Sequence, residues 1–444
     1  MPEPTDPSRF RQSPDNPPMP LAEARARIVD SITPIMRTER VNLPEALHRV
    51  LAETMTSAID VPGADNSSMD GYGFAAADVR ASGDRLAIVG DSLAGHPFAG
   101  ALKAGDCIRI MTGAVVPSGV DTVVMQENTR EDDGHLVIET VPAAGSNIRP
   151  AGEDLTRGDV VLRAGQYLRP ADIAVLASIG QAQVTVHARP RVAFFSTGDE
   201  LRPIDGPIEP GQIYDSNRYG LAALLAELGM EGINMGVVGD SRAALRAAFA
   251  EAADNADAIV TSGGVSVGAA DFVLDVLGEQ GSVDFWRVAI KPGKPLAFGT
   301  IGSARFFGLP GNPVSTAVTF LQLVRPALVR MAGGQPAPPT RFYLPTRHAL
   351  DKRPGRENFL RARMDMTKPT PDVCGVDHQG SGVMRSMSVA DCFIVLPAEQ
   401  GAVAAGELVC VEPFAQTLWG GGRPTDGVRS SPDRAPRGMY IACD

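Results

Sequence analysis

No stretch of this sequence is apolar for long enough to cross a membrane. Its start, Met1–Pro20, is polar and proline-rich, without the basic residues and apolar centre of a secretory signal. The first absence argues against a membrane protein, and the second makes the cytoplasm the expected compartment. Basic residues are in deficit, with a formal net charge of −11, which disfavours non-specific binding to nucleic acid. Small anionic ligands are not excluded, because Lys291, Lys294, Arg356, Arg361 and Arg363 cluster locally. The five cysteines (Cys107, Cys374, Cys392, Cys410, Cys443) contain no CxxC pair and are odd in number, and the six histidines form no HxxxH pair. A zinc site or a disulfide framework is therefore not expected, and buried single thiols are.

At 444 residues the chain exceeds one ordinary core, so two to four domains are expected. Pro, Gly, Ser and charge dominate Met1–Pro18 and the segment from about Gly420, which read as tails. Helical apolar spacing marks Pro20–Met36 and Pro44–Met55. Short β-branched runs punctuated by turns fill Leu86–Glu139, a small β-rich region. Ala171–Ile179 reads as a helix again, so the β-rich region looks inserted into a helical element. From Arg191 to Met331 strand and helix alternate, which predicts right-handed βαβ units and a mostly parallel sheet. Short strands return from Pro339 to about Pro413.

The strongest chemical signal is a set of three loops that follow predicted strands. Thr197 leads into Gly198-Asp-Glu-Leu201, Thr261 into Ser262-Gly-Gly-Val-Ser-Val-Gly268, and Phe307 into Gly308-Leu-Pro-Gly-Asn-Pro-Val-Ser315. Ligands of open parallel sheets collect at the carboxyl ends of strands, where glycines let backbone N–H groups approach an anion. Lys291-Pro-Gly-Lys294-Pro adds two ammonium groups on a stiff turn; solvated hairpin lysines are the bland alternative. Asp199, Glu200, Asp240 and Asp271 recur beside these loops, as a Mg–phosphate site needs. Asp240 and Asp271 could equally cap helices. Asp60–Tyr72 is the densest polar segment of the first half, and by itself reads as a solvated turn.

Eight ordered segments resemble the molybdopterin molybdenumtransferases, the MoeA family that includes the gephyrin E domain. They are Asp65–Tyr72, Arg109–Gly113, Asn147–Asp154, Ser196–Leu201, Gly211–Asn217, Ser262–Gly268, Lys291–Pro295 and Leu309–Ser315. Ala64 and Gly73 depart from residues common in relatives.

The resemblance implies a multidomain α/β plus β fold. Its parts are a doubly wound α/β domain like molybdopterin adenylyltransferase (188–335), an elongated helical domain (20–60 and 154–187), an inserted β domain (61–153) and a C-terminal β barrel (336–419). Tails would occupy 1–19 and 420–444. It implies insertion of molybdate into adenylylated molybdopterin with release of AMP, assisted by Mg²⁺. An ATP-dependent adenylyltransferase or a gephyrin-like scaffold are the alternatives.

By motif position, Asp70, Thr112, Glu200, Asp240 and Asp271 correspond to residues needed for activity, with Glu200 and Asp271 the metal ligands. Lys291, Lys294, Ser315, Arg361 and Ser386 correspond to a molybdate-binding set. Ser196, Thr197, Gly198, Ser262, Gly263, Gly264, Ser266, Gly268, Pro310, Gly311 and Asn312 would hold the pterin substrate. The resemblance also implies a homodimer whose partner supplies Asp70 to the cleft, with the adenylyltransferase and molybdoenzyme apoproteins as further partners.

Overall fold

Val192-Ala-Phe-Phe195 and Ala258-Ile-Val260 are apolar at every position, the pattern of strands covered on both faces. In the computed structural model, which describes residues 17–264 and 276–414, they lie inside a six-stranded sheet. The chain forms two units, Thr38–Val186 and Met1–Arg37 with His187–Asp444.

The elements of the second unit are α1 (Leu21–Ser31), β1 (Arg191–Thr197), α2 (Ser216–Glu227), β2 (Glu231–Val238), α3 (Arg242–Asn255), β3 (Ala258–Ser262), β4 (Gly281–Arg287), β5 (Ile290–Lys291), β6 (Pro295–Ile301), β7 (Ala304–Leu309), α4 (Pro313–Thr319) and α5 (Arg325–Met331). The main sheet has the order β2-β1-β3-β7-β6-β4. Strands β2, β1, β3 and β7 are parallel, as the alternation of strand and helix predicts. Strand β6 runs antiparallel to β7 and to β4. Only Gly302 and Ser303 separate β6 from β7, and a parallel crossover needs a dozen residues or more.

Alternate residues of each strand enter opposite cores. Val192, Phe194, Ala258, Val260 and Phe307 pack with Leu221 and Leu225 of α2 and with Leu21, Ala24 and Ile28 of α1. Ala193, Phe195, Ile259 and Phe306 pack with Leu245, Phe249 and Ala252 of α3. Helix α1 thus shares the α/β core, in contrast to the expected grouping of 20–60 with 154–187. Its Leu21/Ala24/Ile28 stripe says that a partner exists but not which one. From β1 the chain moves to β2 on one side and returns to β3 on the other, so strand order reverses between β1 and β3. That is where a crevice opens beyond the strand ends.

Between α4 and α5 the helix widens into a π segment, Phe320–Val324. Pro326 explains the site: it has no N–H for the carbonyl of Gln322 four residues back, and its ring crowds that carbonyl. Arg25 of α1 takes the missing donor's place, with Nε to Gln322 O at 3.0 Å and Nη2 to Gln322 Oε1 at 2.6 Å. Gln322 then donates to Glu412 (2.7 Å), which also accepts from Arg341 Nε (2.9 Å).

The C-terminal strands are β8 (Phe342–Pro345), β9 (Glu357–Asp365), β10 (Asp372–Gly375), β11 (Cys392–Leu396) and β12 (Leu408–Pro413), with a short helix α6 (Arg385–Val389) before β11. Their order is β5-β9-β11-β12-β8, with β10 also on β9. A bridge between Thr346 and Val373 connects the end of β8 to β10. Cys107, Cys392 and Cys410 are free thiols. Cys374 is disulfide-bonded, against the expectation of single thiols.

In the unit Thr38–Val186, residues before 62 and after 154 share one core, with Leu43, Leu51, Leu162, Leu176 and Val184 inside it. A separate six-stranded sheet spans Gly71–Ile138, with Tyr72, Phe74, Leu86, Cys107 and Leu136 in its core.

Arg25→Ala should destabilise the protein by about 2 kcal/mol, because it strands the Gln322 carbonyl and amide oxygens. Adding Pro326→Ala should recover part of that loss by restoring a backbone N–H. Urea denaturation of the two single variants and the double variant measures the coupling; strict additivity would refute the link.

Candidate functional site

Three predicted loops leave the carboxyl ends of β1, β3 and β7, and the hydrogen bonds between them are specific. Gly263 N donates to Leu309 O (3.2 Å). Asn217, in the first turn of α2, donates to Ser262 Oγ and to Gly311 O, both at 2.7 Å. Gly263 has φ +94°, and a Cβ there would lie 2.5 Å from Thr197 O. Glycine is thus required at this point, where the first two loops touch. Gly264 (φ +72°) also holds a left-handed conformation. At Gly198 a Cβ would fall 2.6 Å from Glu200 Oε2, because the Glu200 carboxylate folds back over that glycine.

The predicted residues of these loops divide by direction. Ser196 faces inward: fully buried, it donates to Asp215 (2.9 Å), which also receives Arg218 Nε (2.8 Å). Thr197 donates its hydroxyl to Asp240. Asp240 is not the cap of α3; Ser241 is, accepting from Ala244 N at 3.2 Å. The capping alternative for Asp240 is thereby removed, and its backbone N–H donates to Asp199 Oδ1 (3.4 Å). Pro310 is buried, while Gly311 and Asn312 are exposed just before α4. Ser266, Gly268 and Asp271 lie outside the described residues. Among the described residues no three acidic, His or Cys side chains are grouped as a metal cluster.

A second group gathers around α4. Lys291 pairs with Asn358 at the junction of β5 and β9, so the Lys291–Pro295 turn passes from the C-terminal sheet into the α/β sheet. Gly293 (φ +107°) packs on α4, where a Cβ would lie 3.4 Å from Ser315 O. Val314 N donates to Ser381 O (2.9 Å), which holds the start of α4 against the loop before α6.

Arg361 of β9 reaches the same loop before α6 and is 1% exposed. Its Nε donates to Ser386 Oγ (3.0 Å), and its Nη2 to Gly380 O (3.1 Å) and His378 O (3.4 Å). Nη1 has no hydrogen-bond partner among the described residues. Burial pushes the Arg361 pKa down to about 10, so the group stays cationic at neutral pH. Neither Arg361, Lys291 nor Lys294 forms an ion pair with a described carboxylate. Of the three only Arg361 is buried, and buried cations ordinarily have such partners.

In the other unit, Asp70 and Thr112 come together, 42 residues apart in sequence. Thr112 N (2.8 Å) and Oγ1 (2.7 Å) both donate to Asp70 Oδ1. These two bonds, with a smaller contribution from Arg109, hold the Asp70 carboxyl below the ordinary carboxylate range. The Asp60–Tyr72 segment is largely bends, with the local turn bond Ser67 Oγ to Met69 O (2.6 Å), and its end enters a strand. Gly71 and Tyr72 are buried there between two neighbouring strands, and a Cβ on Gly71 would meet Val124 O at 1.8 Å. Asp215 and Asn217 were the residues missed. In sequence they look like a helix cap, and Asp215 does cap α2 while also binding Ser196.

A multidomain α/β plus β protein with a crevice beyond the carboxyl ends of its parallel strands is what this geometry defines. Family models agree in chain order: the MoeA N-terminal region (domains I and II) matches residues 19–180, a probable molybdopterin binding domain 193–330, and the MoeA C-terminal region (domain IV) 343–414. The molybdopterin molybdenumtransferase of Haemophilus influenzae is 43% identical over 401 residues, 90% of this chain and 99% of the relative. That of a Nostoc species is 37% identical over 409 residues, 89% and 94% of the two chains. A crystal structure of the molybdopterin biosynthesis MoeA protein from Pyrococcus horikoshii matches with a TM-score of 0.78 at 28% identity, covering 89% of this chain and all of that one. The chain belongs to the molybdopterin molybdenumtransferase family, transferases of molybdenum cofactor biosynthesis.

Thr112→Val removes the hydroxyl donor and should raise the Asp70 pKa toward the ordinary carboxylate value. A depressed carboxyl adds stability above its unfolded pKa and loses it as pH falls through the folded one, so the variant should lose that contribution at a higher pH. Carboxyl-carbon NMR titration of Asp70 decides it; an unmoved midpoint would contradict the assigned cause.

Proposed function

We propose that this enzyme inserts molybdate into adenylylated molybdopterin and releases AMP. The observation that carries the reading is Arg361: a buried guanidinium on Ser386, with no Nη1 partner and no carboxylate among the described residues. A tetrahedral dianion answers that need. Arg361, Lys291 and Lys294 would balance its charge, and the Ser315 and Ser386 hydroxyls would orient it.

The loops after β1, β3 and β7 would hold the pterin and its pyrophosphate. Gly198, Gly263, Gly264 and Gly311 leave the backbone open there, and α4 begins immediately behind. Asn217 would keep the second and third loops in register, so the phosphoanhydride and the dianion are held at fixed places.

Mg²⁺ takes one or two carboxylates and completes its shell with phosphate oxygens and waters. Glu200, folded over Gly198, fits as one such carboxylate, and Asp271 is the proposed second. When bound, the ion would neutralise charge on the bridging phosphates. Asp240, held by Thr197, would remain an acceptor at the rim of the same crevice. Asp70 and Thr112 would serve the partner subunit's crevice in a homodimer, since a two-fold axis allows each copy to complete the other.

The test is to incubate the protein with adenylylated molybdopterin, molybdate and Mg²⁺ and follow AMP. Molybdate-dependent AMP release is expected, and Glu200→Ala should abolish it in a folded protein. AMP release that ignores molybdate would overturn the reading. Lys294→Ala should raise the molybdate needed for half-maximal rate roughly ten- to hundredfold, the loss of one charge-assisted contact. An unchanged molybdate dependence would reduce the turn to a structural link.

A further inference from the structure

Threonines in helices normally give their hydroxyl to the carbonyl three or four residues back. Thr316 of α4 follows the rule, donating to Pro310 O (2.6 Å) and Asn312 O (3.1 Å). Thr319, in the same helix, does not. Its side chain is wholly buried, and its Oγ1 has no hydrogen-bond partner among the described residues. A buried hydroxyl without a partner is costly and calls for a reason.

The position of Thr319 supplies one. It stands one turn after Ser315, on the face that receives the Lys291–Pro295 turn. A Cβ placed on Gly293 would lie 2.6 Å from Thr319 Oγ1, 3.3 Å from Ile290 Cδ1 and 3.4 Å from Ser315 O. The hydroxyl therefore touches the one residue of the turn that has no side chain, between the two lysines. Directly after Thr319 the π segment begins, its register fixed by Gln322 through Arg25 and Glu412. Helix α4 is thus pinned at its far end, and the turn is tied at both of its own ends, by the Lys291–Asn358 pairing and by Val288 N to Lys294 O (2.8 Å).

We propose that Thr319 is a positioning residue for the oxyanion. Its hydroxyl has no partner in its own helix and lies against Gly293, and it takes a backbone carbonyl of the Lys291–Pro295 turn as acceptor when the anion is bound. Part of the binding energy then comes from satisfying a buried donor rather than from a new contact to the ligand. This inference rests on the reading that the turn clamps molybdate.

Molybdate titration calorimetry on the full-length protein, alongside the thermal midpoint of the ligand-free protein, tests it. Thr319→Val replaces the orphan hydroxyl with a methyl of the same shape. It should hold or raise the ligand-free midpoint while weakening molybdate binding on the order of 3- to 10-fold. Thr319→Ser, which keeps the hydroxyl, should bind as wild type does. Should Thr319→Val fold poorly, Thr319→Ala takes its place with the same expected loss of affinity. Wild-type affinity in the valine or alanine variant overturns the proposal. So does a fall in midpoint and affinity together that serine fails to restore, since that marks a packing role. Absence of molybdate binding by the wild-type protein refutes the molybdate reading itself, which the variants alone cannot do.

Discussion

A cation without a counter-ion in the protein interior is the constraint around which this site is arranged. Arg361 lies on a sheet strand among apolar neighbours, and only carbonyl and hydroxyl oxygens meet it. Dipoles lower the cost of burying the charge but do not cancel it, and the depressed pKa records the remainder. The carbonyls of His378 and Gly380 and the Ser386 hydroxyl meet its Nη2 and Nε, and the same loop holds the start of α4 through Ser381 O and Val314 N. The buried charge is left without a carboxylate among the described residues. The proposed chemistry uses that imbalance.

The crevice beyond β1, β3 and β7 depends on a different constraint, backbone proximity. Gly263 and Thr197 approach so closely that no side chain fits between them, and Asn217 spends its amide on the two neighbouring loops. Loops joined in this way lose little conformational freedom when a phosphate group settles on their N–H groups. The parallel strands supply the rigidity behind them, since both faces of the sheet are covered by helices.

Much of this could be read from residues alone. Unbroken apolar runs marked the central strands, and glycine-rich segments after them marked the crevice. What stayed hidden was hidden for physical reasons. Helix α1 carries a clear apolar stripe, but a stripe does not name its partner. The two-residue link at Gly302 and Ser303 dictates an antiparallel pair within a sheet expected to be mostly parallel. Asp215 caps α2 and Asn217 lies in its first turn, and their second roles appear only where the folded loops meet. Ser196 looked like a ligand contact because it stands in a motif of the resemblance beside Thr197. In the fold its hydroxyl is used on Asp215 and that of Thr197 on Asp240. The isolation of Arg361 could not be read at all, since the lack of a partner is a property of the folded neighbourhood.

The account's central claim is that Arg361 is a counter-charge waiting for an oxyanion. Crystals of the protein soaked in tungstate, a heavy analogue of molybdate, test it through anomalous scattering. A single strong peak should appear with its oxygens at hydrogen-bond distance from Arg361 Nη1 and flanked by Lys291, Lys294, Ser315 and Ser386. Saturating tungstate that binds elsewhere, or leaves the space beside Arg361 to solvent, would contradict the claim.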